Sequence, residues 1–353
     1  MGQLYEKYGY KKYKMAKFEP YDLYRENKNF LKTDGIITFM NADGRLMAMK
    51  PDVTMSIVKN TTDDVRLQKY YYIENVFRTS VDTHEFQEIK QMGLEFIGDG
   101  DGYSEAEVVS LAVKTLSVIN GDYLLNLAHI GFISAFIGSF CFDYETNAKI
   151  YEALRHKNAA ALKSLDGCKC AAGNIDKLYR LMTYSVPLSH AAAELEQYVV
   201  NDEMATALKD IQSLYRALKS SAAADNIKID FSVSGDADYY NGIVFNGYIK
   251  TIPRLVLAGG RYDNLMKRFG KDQCAIGFAL YLNELDKVLH KIDAYDTQAL
   301  LIYGRAGADK VMTAVEALQK TYQSVVAVSE DEGAVKPQHR YVLKDNGETE
   351  RIK

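Results

Sequence analysis

What this chain lacks narrows its function before any motif is read. Its four cysteines form no recognisable framework, and the close pair, Cys168 and Cys170, is a single C-x-C. No second pair or suitably spaced histidines complete a tetrahedral zinc set, so no metal and no cofactor are expected. No uninterrupted apolar run is long enough to cross a bilayer, and the opening residues Met1-Gly2-Gln3-Leu4-Tyr5-Glu6 carry no signal-peptide core. A cytoplasmic protein without membrane contact is therefore expected. An excess of positive charge is also missing: the formal net charge is -4, which weighs against nucleic acid as a partner while leaving room for a local basic patch. What remains is an ordinary globular composition, 47% hydrophobic and 25% charged over 353 residues, enough for two or three domains with an ample core.

Short strand-like runs alternate with turns up to about Asn120. They are Tyr10 to Met15, Ile36 to Met40, Leu46 to Met49, Leu67 to Phe77 and Gln87 to Ile97. Asn41-Ala42-Asp43-Gly44 between two of them is a hairpin signal, because Asp-Gly tolerates positive φ at both central positions. Ser104-Glu105-Ala106-Glu107 then reads as a capping box opening a helix, with apolar residues from Val108 to Leu116 at helical spacing. Residues 121–225 turn Ala- and Leu-rich and read as a helical insert. Strand signals return at Ile227 to Val233, Ile243 to Tyr248, Leu255 to Ala258 and Ile276 to Leu280. The core is thus expected to be discontinuous, 1–120 with 226–292, followed by a short α/β unit at 293–353.

Several groups carry chemistry. Pro51 fixes the backbone before Asp52 and Thr54. That acid and hydroxyl suit an ammonium group, and the same residue types also favour helix N-caps. Arg78 ends a strand and offers a guanidinium fork to a carboxylate or phosphate, although a lone arginine also serves as a surface ion-pair partner. Gln91 and Glu95 fall on one face of the next strand, where they match the donor and acceptor of an imidazole or simply face solvent. Tyr239 and Tyr240 supply flat walls with polar tips. Tyr262 follows Gly259-Gly260-Arg261, where adjacent glycines let a ligand approach the backbone.

Asp238-Tyr239-Tyr240-Asn241-Gly242, Gly259-Gly260-Arg261-Tyr262-Asp263 and Ala275-Ile276-Gly277-Phe278, in this order, resemble the active-site core of the class II histidyl-tRNA synthetases. The resemblance runs from about Tyr5 to Leu289. It is nearest to the synthetase-like regulatory-subunit family of ATP phosphoribosyltransferases, in which R-P-D-x-T stands where this chain has Lys50-Pro51-Asp52-Val53-Thr54. Leu127-Ala128-His129-Ile130-Gly131-Phe132 adds a weaker likeness to that family, and His129 also reads as a capped or core histidine. The resemblance implies an α+β fold: a class II aminoacyl-tRNA synthetase-like antiparallel sheet flanked by helices, with a helical insert and a small C-terminal α/β unit. It also implies a histidine site of Asp52, Thr54, Arg78, Gln91, Glu95, Tyr239, Tyr240 and Tyr262 over the backbone of Gly259, Gly260 and Gly277.

The departures bear on chemistry. Where the synthetases carry R-G-L-D-Y-Y, the arginine's place is Gly235; where they carry G-L-E-R-L, it is Glu284. The loop from Thr79 to His84 lacks their basic stretch. Each missing cation removes stabilisation of carboxylate or phosphoryl charge. No catalytic residue is expected. The resemblance then implies a noncatalytic regulatory subunit of a phosphoribosyltransferase. Its partners would be a short-form catalytic subunit, histidine as effector, and a second copy within a hetero-oligomer. The alternative is a histidyl-tRNA synthetase, or a relic of one that binds histidine or tRNA.

Overall fold

A computed structural model describes residues 1–27, 31, 35–62, 66–80, 83–140, 142–158, 160–162, 175–219, 224–233, 239–289 and 295–352. Cys168, Cys170, Gly235, Asp238 and the middle of the Thr79–His84 loop lie outside these residues. The chain divides into two compact units, Met1–Leu285 and Asp286–Lys353.

The first unit runs through β1 (Lys11–Lys12), β2 (Phe18–Pro20), β3 (Thr38–Met40), β4 (Leu46–Met49), β5 (Gln68–Thr79), β6 (Phe86–Gly98) and β7 (Tyr123–His129). It continues through β8 (Val186–Pro187), β9 (Ile227–Ile229), β10 (Ile243–Ile249), β11 (Leu257–Arg261) and β12 (Cys274–Tyr281). Nine of these strands form one sheet in the order β1-β5-β6-β12-β11-β10-β7-β9-β8. Its centre, β5 through β7, is antiparallel throughout, while β1 and β9 pair in parallel with β5 and β7. β2, β4 and β3 form a small second sheet.

The helix Tyr103–Ile119 lies across the large sheet and buries Val108, Val109, Leu111, Ala112, Val113 and Leu116. Each such side chain withdrawn from water contributes on the order of 1.5–3 kcal/mol. The close approach is visible at Gly247, where an added Cβ would come within 2.9 Å of Leu116. The expected capping box does not form. Asp101 accepts from the Tyr103 amide at 3.1 Å, and Gly102 takes the left-handed backbone before the helix. Glu107 turns away instead, accepting from Lys69 Nζ and from the Tyr10 and Tyr103 hydroxyls. A buried carboxylate takes a cation and two hydroxyls over one exposed amide.

The Asn41–Gly44 turn joins β3 to β4 as expected, but Gly44 alone takes positive φ; Asn41 Oδ1 accepts from the amides of Asp43 and Arg45 and closes the loop. Residues 121–225 are not helical throughout. β7 pairs along its whole length with β10, and β8 with β9, so this stretch extends the sheet as well as covering it. Its helices include Ile130–Gly138, Tyr144–Arg155, Ile175–Met182 and Asp202–Leu218. The last is capped by Asn201, whose side chain accepts from the Met204 amide.

The second unit contains β13 (Thr297–Ile302), the helix Ala308–Gln319, β14 (Val325–Val328), β15 (Pro337–Leu343) and β16 (Thr349–Ile352). Its sheet order is β14-β13-β15-β16, over a small core of Leu301, Ala314, Leu318 and Leu343. Among the described residues, no helix is long and apolar enough to cross a membrane.

Candidate functional site

On one face of the large sheet, β6, β12 and β11 carry small residues where larger ones would fill the space. The register sets Gly277 opposite Glu95, Ala279 opposite Gly93 and Ala258 opposite Ala279. Because side chains alternate along a strand, these residues share a face. Above them opens a cavity of about 460 Å³, counting its mouth. It is lined by Asp52, Thr54, Arg78, Gln91, Glu95, Tyr239, Tyr240 and Tyr262, which thus come together from five separate stretches of chain, with the backbone of Gly259 and Gly277 beneath.

Glu95 is the cavity's anchor. Its carboxylate is fully enclosed and accepts from Thr54 Oγ1 at 2.7 Å and from the Tyr262 hydroxyl at 2.5 Å. Burial pushes the carboxyl up from 4.5 to about 8, against the pull of the Tyr262 and Thr54 hydrogen bonds; Asp52 adds a smaller upward push. Near neutral pH the raised value favours the protonated form of Glu95. Gly277 is what lets it fit: a Cβ there would overlap the Glu95 carboxylate and the Leu94 carbonyl. Burial likewise raises the phenols of Tyr72, Tyr239 and Tyr262, all of which stay neutral.

Asp52 lies just before the helix Thr54–Asn60, whose N-cap is Val53, and accepts from the Met55 amide at 2.8 Å. Its carboxylate also faces the cavity. Behind it, Lys50 is fully buried and paired with Glu74 at 2.7 Å, and the Lys50 carbonyl accepts from the Phe77 amide at 2.8 Å. These bonds fasten the Pro51-Asp52 segment to β5. Arg78 Nε donates to the Pro51 carbonyl at 2.9 Å, so the guanidinium is steered by the same segment.

Tyr239 and Tyr240 meet edge to face with centroids 4.7 Å apart, and Tyr239 tilts towards Tyr262 at 6.1 Å. Gly260 does not line the cavity. It lies under Tyr240, whose ring a Cβ at that position would meet at 2.7 Å, so this glycine seats the aromatic wall and not the ligand. Arg261 points away too, towards Asp263 at 2.8 Å and Glu105 at 3.1 Å. Asp263 in turn accepts from the Ala275 amide and from Asn241, which ties the strand ends carrying Tyr240 and Tyr262 together.

Five lining residues escaped the sequence reading: Tyr72, Ala258, Phe278, Ala279 and Tyr281. Ala279 was within reach, because it alternates with Gly277. Tyr72 and Tyr281 depend on strand register; a Cβ at Gly93 would overlap the Tyr72 hydroxyl, so Tyr72 reaches across that glycine. His129 is buried, with Nε2 3.4 Å from Asp210, beside a groove between the helices Ile130–Gly138 and Asp202–Leu218. Glu284, in the helix Leu282–Leu289, lies 3.8 Å from Arg254 and is not among the lining residues. No cluster of metal-ligating side chains occurs among the described residues.

A mostly antiparallel sheet with a tyrosine-walled, polar-ended cavity on one face defines a class II synthetase-like protein. The comparisons agree: the family model described as histidyl-tRNA synthetase matches residues 1–285, and the chain belongs to that family. Two curated relatives carry the name ATP phosphoribosyltransferase regulatory subunit. That of Alkaliphilus metalliredigens is 25% identical over 295 residues, covering 80% of this chain and 74% of its own. That of Clostridium kluyveri is 25% identical over 332 residues, covering 90% and 84%. Among solved structures, an ATP phosphoribosyltransferase regulatory subunit/histidyl-tRNA synthetase from Bacillus halodurans superposes with a TM-score of 0.76 at 20% identity, over 94% of this chain and 88% of that one. The ATP phosphoribosyl transferase (HisG:HisZ) complex from Thermotoga maritima gives 0.63 at 18% identity, over 80% and 94%. These likenesses establish the fold.

Proposed function

We propose that this chain is a noncatalytic regulatory subunit of ATP phosphoribosyltransferase. It acts in the cytoplasm with a short-form catalytic subunit in the first step of histidine biosynthesis, and it senses histidine. The observation that carries the reading is the cavity's complementarity to one free amino acid. Asp52 and Thr54 suit the ammonium, Arg78 and Gln91 the carboxylate, and Glu95 with Tyr262 the imidazole, between the Tyr239 and Tyr240 rings. Burial raises the Glu95 carboxyl, so an imidazole N–H donated to it favours its ionisation and releases its proton to solvent. The names of the curated relatives support the partner.

Glu284 supports the absence of adenylation: a carboxylate standing where the synthetases place an arginine repels a triphosphate. Feedback needs histidine to bind the inhibited assembly more tightly than the active one, since equal affinities shift nothing. The cavity is our candidate sensor within a homodimer inside the hetero-oligomer. Co-purification with a short catalytic subunit, then phosphoribosyl transfer with and without this chain, tests the partnership; activity independent of this chain overturns it. Calorimetry of Asp52→Ala and Tyr262→Ala should show at least tenfold weaker histidine binding, and unchanged affinity in both removes the sensor. Histidine-dependent ATP–pyrophosphate exchange by the pure protein would restore the synthetase reading.

A further inference from the structure

The cavity floor has a direction. Along β12 the residues facing it are Gly277, Ala279 and Tyr281, whose register partners on β6 are Glu95, Gly93 and Gln91. The floor is therefore bare for two positions and then carries Tyr281, roughly 13 Å along the strand from Gly277 at about 3.3 Å per residue. The two ends differ in charge. Glu95, Thr54 and Tyr262 gather at the Gly277 end. At the other end β5 brings Arg78, whose register partner Gln87 lies beyond Gln91 on β6. Arg78 is the one cation among the described lining residues, so a ligand carboxylate is drawn to the end that Tyr281 closes.

We infer that Tyr281 is a specificity-determining residue, a stop that confines the pocket to an amino acid with a free carboxylate and turns away anything extended through it. The inference rests on the histidine reading above and adds the size limit of the ligand. A ring standing at the carboxylate end excludes an ester, amide or acyl-linked extension by overlap, while a free carboxylate ends short of it. Strand β12 then holds both selectors: Gly277, which makes room for Glu95 at the imidazole end, and Tyr281, which ends the pocket at the other.

Calorimetry on the full chain tests this with histidine and histidine β-naphthylamide as probes. The wild type is expected to bind histidine and to bind the naphthylamide at least thirtyfold more weakly. Tyr281→Ala is expected to raise the affinity for the naphthylamide relative to that for histidine at least tenfold, whatever it does to histidine binding itself. Tyr281→Val, which preserves a strand-compatible side chain, replaces it if the alanine variant does not fold. If the variants bind histidine but gain nothing for the naphthylamide, Tyr281 is not the stop. If the wild type binds no histidine at all, the reading beneath fails, and the size limit goes with it.

Discussion

The two units spend their charged residues differently. In Met1–Leu285, Lys50, Glu95, Glu105, Glu107 and Asp263 are buried. In Asp286–Lys353, ion pairs such as Lys344–Glu350 and Arg340–Asp331 stand in water, and no charged side chain is buried among the described residues. Withdrawing a charge from water costs several kcal/mol unless partners replace the solvent. The first unit accepts that cost repeatedly, with Glu95 in the cavity wall and the others in the packing around it, and the second unit avoids it. The difference teaches where to look for function: in the unit that holds polar groups away from water at some expense, on rigid strands that fix their positions. It also separates two kinds of substitution, those that disturb an enclosed network and those that disturb a solvated pair.

The comparison should break most severely at Gly277. An alanine there has no space, because its Cβ overlaps both a carboxylate and a backbone carbonyl, and backbone in a central strand cannot swing aside. Overpacking of this kind costs about 1–3 kcal/mol, and the upper end is expected here. Histidine binding should be lost as Glu95 is pushed from its place. Urea unfolding and calorimetry on Gly277→Ala check both, and a variant as stable and as tight-binding as the wild type contradicts the packing argument.

A smaller effect, with a sign, is expected at Glu95. Its carboxyl is raised from 4.5 to about 8 in the folded chain, chiefly by burial, so between those pH values the folded state keeps a proton that the unfolded state has released. Stability must therefore fall as pH rises through that window, with a limiting slope of about 1.4 kcal/mol per pH unit from this group. Glu95→Gln removes the titration while still offering an oxygen to one of the two hydroxyls. Unfolding free energies at pH 5, 6, 7 and 8 should decline more steeply for the wild type than for the variant. Parallel declines would mean that Glu95 titrates normally.

Much of this was legible in the sequence because the informative residues are local. β4 matches its run to the residue, and Asp52, Thr54, Glu95 and Tyr262 do meet around one cavity. What was not legible depends on distant partners. Leu124-Leu125-Asn126-Leu127 sits in an Ala- and Leu-rich stretch and reads as helix, but β10, more than a hundred residues later, draws it into the sheet. Tyr281 could not be placed in the cavity until β6 and β12 were set in register. The Ser104 capping box failed for the same reason: Lys69 and Tyr10, remote in sequence, compete for Glu107.

The mildest prediction sharpens the comparison from the other side. Lys344 and Glu350 lie 2.9 Å apart, flanking the turn between β15 and β16, with side chains about half exposed. An exposed pair gains little in high dielectric and must hold two long side chains in one arrangement, so its net worth is about 0–1 kcal/mol and shrinks with salt. Lys344→Ala should therefore change unfolding stability by less than about 0.5 kcal/mol, and by less still at high ionic strength. Histidine affinity should not move. A loss comparable to that of Gly277→Ala would show that this pair is not a solvated one, and the contrast between the units would no longer be one of burial.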